Sequence, residues 1–243
     1  MRPKLIVIGH ADATGRHGLA ADMRAAETLG VTPLPVITSY ALGGTDAPEA
    51  IRPVWGGTIA RQLSAALDQE PEAALVRVVA RARHARLIAE QLADRGPSTT
   101  VVAPMPSDFD LLPLVNARIF PAVRRYLLPE ARAVVLSSRS VEALMGTGGD
   151  SLDELRDVGK QILEAGAGAA WIRAVVNEAR RVDVFVDQSG TGLLDYQPAE
   201  DHAEPDTSAA SLAALLALGT KMREAVDRAR RHAYGLDRDL HPV

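Results

Sequence analysis

Two apolar patterns alternate along the chain. Short runs in which apolar residues follow one another with little polar interruption stand at residues 4–9, 34–38, 74–79, 99–103, 132–136 and 169–175. Between most of them lie longer stretches rich in Ala, Leu, Arg and Glu, at residues 19–29, 58–67, 82–93 and 152–163, with apolar side chains at helical spacing. The runs predict strands and the stretches predict helices. Their alternation predicts an α/β fold of three layers, a mainly parallel central sheet with helices on both faces. Leu5-Ile6-Val7-Ile8 offers no polar position for a solvated face, so this strand belongs inside the sheet.

Local signals set several boundaries. Ser151 followed by Glu154 is a capping box, and it opens the helix that carries Leu155, Val158 and Ile162. Gly166 ends that helix, because glycine takes up the left-handed terminal conformation at little cost. Ser189-Gly190-Thr191-Gly192 lies between extended runs at 182–186 and 193–196 and predicts a hairpin turn. Residues 197–208, with two prolines and four acidic residues, predict a loop. Two Ala/Leu-rich helices follow, at 209–218 and 221–234. Lys221, Arg223, Arg228, Arg230 and Arg231 are expected on the solvated side of the second. Gly146-Thr147-Gly148-Gly149-Asp150 reads as a loop leading into the capping box, not as an anion site. No internal repeat or low-complexity linker divides the chain, and one domain over residues 1–243 is expected.

Composition removes whole classes of function. With 243 residues, 47% of them hydrophobic, the chain can bury a sizeable core. It has no cysteine, which excludes disulfides, thiolate-bound zinc, iron–sulfur clusters and thiol nucleophiles. A net charge of −4 supplies no basic field, and 4% aromatic residues supply few stacking platforms, so no nucleic-acid partner is expected. No apolar run approaches the roughly 18–20 residues of a membrane span, and no signal-like N-terminus is present. A cytoplasmic protein without a membrane partner is the expectation. There is no G-x-S-x-G and no H-E-x-x-H. His10 and His17, seven apart without a nearby carboxylate pair, make a poor metal signature, so no metal is expected. His84, His202, His232 and His241 are scattered.

The loop after the first strand carries most of the chemistry. It reads Gly9-His10-Ala11-Asp12-Ala13-Thr14-Gly15-Arg16-His17-Gly18-Leu19-Ala20-Ala21-Asp22. Glycines in a strand-to-helix turn let backbone N–H groups approach a ligand at the helix N-terminus, outside the carboxyl ends of the strands. Gly15 and Gly18 alone do not make the dinucleotide pattern G-x-G-x-x-G.

This loop resembles the opening motif of the hydroxymethylpyrimidine/phosphomethylpyrimidine kinases of the ribokinase-like superfamily, G-S-D-x-x-G-G-A-G-I-Q-A-D. Asp12, Gly15, Gly18, Ala21 and Asp22 fall in register without a gap. The register continues through Leu29-Gly30-Val31 and Val36-Ile37-Thr38 to Thr45. Glu142-Ala143-Leu144-Met145-Gly146 is similar to the family's E-A-E-L-L-T-G, and Val182-Asp183-Val184-Phe185 to its late hairpin. The resemblance implies a ribokinase-like fold, a homodimer, and a thiamine-precursor pyrimidine as ligand. Asp12 and Gly18 are then the candidate substrate-binding residues. Asp12 would sit at the end of the first strand, accepting hydrogen bonds from an aminopyrimidine; its alternative role is to cap the helix.

The departures fall on the phosphate side. The family's G-T-G-C or G-T-G-D anion hole and base correspond here to Glu204-Pro205-Asp206-Thr207-Ser208-Ala209. Anchored from Leu218-Gly219, the base position falls on Thr207; a slip of one puts Asp206 there. D-P-V-M becomes Ala103-Pro104-Met105-Pro106, and T-P-N becomes Ser137-Ser138-Arg139. K-x-G-M becomes Arg77-Val78-Val79-Ala80, and V-K-G-G becomes Ile172-Arg173-Ala174-Val175. Gly43 stands at the glutamine of A-Q-N-T. Two readings follow from the resemblance. In one the chain is a degenerate relative, a ligand-binding or partner protein with no cofactor and no catalytic residue to name. In the other it is an active phosphotransferase using MgATP.

Overall fold

The computed structural model describes residues 1–43, 48–104, 117–177, 180–196 and 207–233. Among these residues nine strands form one sheet: β1 (Lys4–Asp12), β2 (Thr32–Gly43), β3 (Pro48–Pro53), β4 (Ala73–Val76), β5 (Thr100–Val102), β6 (Ala133–Ser137), β7 (Ala169–Asn177), β8 (Arg180–Asp187) and β9 (Gly190–Tyr196). Their spatial order is β3-β2-β1-β4-β5-β6-β7-β8-β9. From β2 to β7 every pairing is parallel; β3, β8 and β9 add antiparallel strands at the two edges. The expected mainly parallel sheet is therefore present.

Helices cover both faces. On one side lie α1 (Gly18–Thr28), α7 (Ser208–Ala217) and α8 (Met222–Ala233), packed on Leu5, Val7, Leu75 and Trp171. On the other lie α2 (Gly56–Leu67), α3 (Ala82–Arg95), α4 (Ile119–Ala122), α5 (Ser138–Met145) and α6 (Leu152–Glu164), packed on Ile6, Ile8, Val134 and Val184. Leu5, Ile6, Val7 and Ile8 are all fully buried, two toward each layer, as an interior strand requires. α7 is apolar around its whole circumference and nearly every residue of it is buried, since α1 and α8 flank it on the sheet.

The capping signals hold. Ser151 Oγ accepts from Glu154 N at 3.2 Å, and Glu154 Oε2 accepts from Ser151 N at 3.2 Å and Asp150 N at 2.9 Å. Gly166 ends α6 with φ +106°. The expected hairpin joins β8 to β9, but its turn is Gln188-Ser189, and Gly190, Thr191 and Gly192 already pair as the start of β9.

Four features differ from the sequence expectation. The strand expected over 74–79 ends at Val76, although Arg77 N still donates to Ile8 O at 2.8 Å. β2 runs on to Gly43 and pairs with β3, a strand bounded by prolines and therefore confined to a sheet edge. α4 continues into a π-helical turn, Val123–Leu127, and no apolar periodicity announced either. The basic side of α8 is not uniformly solvated. Arg223 donates to both oxygens of Asp187, at 3.0 and 2.7 Å, and lies 5.3 Å over the Phe185 ring. Arg230 is buried and donates to Asp195 O at 3.1 Å. Both guanidinium groups fasten α8 to the β8–β9 hairpin, using a charge that sequence alone would leave in water.

Candidate functional site

The carboxyl ends of β1, β4 and β7 and the N-termini of α1 and α7 lie along one edge of the sheet, the edge where open α/β folds hold ligands. Asp12 is the last residue of β1 and Gly18 the first of α1. Both stand where the sequence placed them. Asp12 is heavily engaged: Oδ1 accepts from Thr14 N at 3.1 Å, and Oδ2 accepts from the Thr14 hydroxyl and from His17 N at 3.2 Å. Gly15 N closes the turn on Asp12 O at 3.1 Å, and Arg24 donates to Gly15 O at 2.6 Å from the far side. Burial alone would raise the Asp12 pKa, but the hydrogen bonds from Thr14 and His17 outweigh it and hold the carboxyl below its ordinary value. A carboxylate has about four acceptor directions, so roughly one remains for an outside donor.

Gly18 has φ +58°, and a Cβ there would stand 2.5 Å from His10 O and 2.7 Å from His10 Nε2. The imidazole of His10 thus lies against the first residue of α1. Burial, and then the charge of Arg77, lower the His10 pKa to about 4, so the ring is neutral at pH 7. One turn into α1, Asp22 pairs with Arg77 through an Nε–Oδ2 distance of 3.1 Å, both side chains being buried. Arg77 therefore serves as Asp22's counter-ion at the end of β4. Its arginine for lysine replacement keeps a cation there, which sequence reasoning had counted among the departures.

At the other end of the site Arg173, on β7, donates to Ser208 Oγ at 3.3 Å, at the first residue of α7. Thr207 precedes it as the N-cap and makes no side-chain cap bond. Asp183 faces Arg173 across the β7–β8 register and accepts from Trp171 Nε1 at 2.9 Å. Sequence reasoning missed both pairings, Asp22 with Arg77 and Arg173 with Ser208. Each joins residues far apart in the chain, and the only signal was a lone arginine inside an otherwise apolar run, at 74–79 and at 169–175. Thr45, Met105, Pro106, His202, Glu204, Pro205, Asp206 and His241 lie outside the described residues. Among the described residues no group of three or more His, Asp or Glu is gathered to hold a metal, and no helix is long and apolar enough to cross a membrane.

Sheet order, two helix layers and the β1–α1 loop together define a ribokinase-like α/β protein. A solved pyridoxal kinase from Staphylococcus aureus, in complex with pyridoxal, superposes with a TM-score of 0.86 at 21% identity, over 95% of this chain and 86% of that one. The phosphomethylpyrimidine kinase of Clostridium difficile 630 gives 0.79 at 22% identity, over 93% and 96%. The sequence pattern of the phosphomethylpyrimidine kinase family matches residues 12–238, and the chain belongs to that family. A hydroxymethylpyrimidine/phosphomethylpyrimidine kinase of Mycobacterium tuberculosis is 27% identical over 258 aligned residues, covering 99% of this chain and 93% of the relative.

Proposed function

We propose that this chain binds a hydroxymethylpyrimidine-like small molecule at the β1–α1 loop and does not transfer phosphate to it, working as a ligand-binding or partner protein of the kinase family. The observation that carries the reading is the stretch Glu204-Pro205-Asp206-Thr207-Ser208 in the place of a glycine-built anion hole. Proline has no N–H to offer, and Glu204 and Asp206 bring two negative charges to motif positions that otherwise serve phosphate. Two like charges about 4 Å apart cost around 4 kcal/mol at an effective dielectric of 20, roughly a thousandfold in affinity. Asp12, through its remaining acceptor direction, and Gly18, through close backbone approach, serve the small molecule. A homodimer, implied by the resemblance, belongs to the same proposal.

A second reading, the active MgATP-dependent kinase, has one structural observation in its favour. Arg173 reaches the N-terminus of α7, and a guanidinium beside a helix N-terminus is suited to phosphate. Bridging Mg²⁺ would turn Asp206 from a repulsive group into a ligand. Calorimetry at millimolar MgATP, with a coupled assay on hydroxymethylpyrimidine, decides between the two. The expected outcome is neither binding nor turnover. Clear turnover that is lost in Asp206→Asn would overturn the proposal and identify Asp206 as base or metal ligand.

A further inference from the structure

Near the ends of β1 and β2 the register shifts by one. Gly9 lies beside Ile37, but His10 lies beside Ser39. The extra residue, Thr38, turns its hydroxyl to Val78 O at 3.1 Å. The bulge therefore makes His10 and Ser39 register partners on neighbouring strands, re-aiming the side chains at the carboxyl end of β2. His10 is 4% exposed and Ser39 0%. Neither His10 Nδ1 nor Ser39 Oγ has a hydrogen-bond partner.

Buried polar groups without partners are uncommon, and each calls for a physical reason. Their surroundings are otherwise well satisfied: Thr38 is bonded, Asp12 is bonded three times, and Asp22 is paired with Arg77. Both unmet groups lie at the carboxyl edge of the sheet, and the His10 ring touches Gly18 at the start of α1. The N-cap there, His17, makes no side-chain cap bond to the helix. His10 also stands on the first glycine of the motif quoted above, so this chain places an imidazole where that motif has no side chain.

We propose that His10 and Ser39 are specificity-determining residues that together recognise the polar edge of an uncharged heteroaromatic ring. Imidazole and hydroxyl can each donate or accept, so the pair reads a neighbouring donor and acceptor, as on an aminopyrimidine or a hydroxypyridine. Strand spacing of about 4.8 Å keeps the two groups apart while letting one ring edge address both. The ring is uncharged because Asp22 and Arg77 neutralise each other beside it and the imidazole itself carries no charge near pH 7. This inference rests on the reading of the β1–α1 loop as a ligand site.

The test combines two readouts. Protein labelled with ¹⁵N-histidine is titrated with hydroxymethylpyrimidine and, separately, with pyridoxal, following the imidazole nitrogens; calorimetry then compares wild type, Ser39→Ala and His10→Gln. At least one of the two rings is expected to bind and to shift the His10 Nδ1 resonance, assigned by its absence in His10→Gln. Ser39→Ala is expected to weaken that binding about tenfold without lowering stability, since it removes a buried hydroxyl that has no partner. A purely structural role for Ser39 would not move the affinity. If wild type binds but both variants bind equally well and Nδ1 does not shift, the pair is refuted while the ligand-loop reading stands. If neither ring binds wild type, the loop reading and the pair fall together.

Discussion

Gly18 is a residue whose identity is set twice over. Its φ of +58° disfavours any side chain, and its Cβ position is already filled by the His10 carbonyl and imidazole. The sequence alone makes this glycine legible as a point of close approach and points to a ligand as the approaching group. The structure brings a neighbour from its own chain as well. Gly18→Ala is expected to lose about 2 kcal/mol or more of stability, read as a lower urea midpoint at unchanged slope. Gly30→Ala serves as the comparison. It has φ +82° and open space around its Cβ, so it meets the conformational part alone. Asp12 shows the limit of single-residue reading in another way. Sequence offered ligand contact and helix capping as alternatives. The carboxylate also knots its own loop, accepting from Thr14 and from the N-cap residue His17 rather than from the helix interior, a role neither alternative contained and one that leaves about one acceptor direction over.

At the level of elements, the pair Asp22–Arg77 joins α1 to the end of β4, and the expectation follows from burial. Removing one partner leaves a charge stranded in the core, so Asp22→Leu or Arg77→Met alone is expected to cost about 3 kcal/mol. The double variant, with no stranded charge, is expected to regain most of that loss in a double-mutant cycle by chemical denaturation. Loss from the double variant equal to the sum of the singles would mean that the pair is not a coupled unit. Elements with strong local codes were legible beforehand: α6 by Ser151 and Glu154, β1 by Leu5 to Ile8, the β8–β9 hairpin by the glycines beside its turn. β3 was not, because an edge strand between prolines has no apolar alternation to betray it. Nor was the burial of Arg230, because an arginine's destination depends on whether a partner such as Asp195 O waits on another element.

At the scale of the whole fold, two neutral buried histidines among the described residues contribute a response to acid. His10 lies at the site, and His84 is fully buried on α3. Burial, followed by the charges of Arg83 and Arg81, lowers the His84 pKa to about 4. Unfolded, both would protonate near 6.5; folded, only near 4. Between those values the unfolded chain binds more protons, so stability is complete above pH 6.5 and falls as pH drops toward 4. The scale is about 3 kcal/mol per histidine. Asp12 and Asp187, whose pKa values are lowered, withdraw their contributions only below about 3.8 and stay out of this window. Urea titrations at pH 7.5 and 5 are expected to show the loss, and His84→Leu to remove roughly half of the pH dependence; a flat profile in wild type would contradict the buried neutral state. The global layout was legible because strand–helix alternation is a property of the entire chain. The phosphate side of the site was legible only as substitutions in a motif, since chemistry there depends on groups contributed by distant segments.

The placement of α7 has a consequence in time. This helix, near the end of the chain, seats on β1, β4 and β5, which belong to its first half. A ribosome delivers those strands long before it delivers their cover. At about 5–20 residues per second, roughly ten to forty seconds separate the appearance of Leu5 and Val7 from that of Leu212 and Leu215. Throughout that interval one broad apolar face of the nascent sheet has only α1 to shelter it. The newborn chain is therefore a natural client for chaperones that shield sticky surfaces, and its commitment to the native state comes late, when α7 lands.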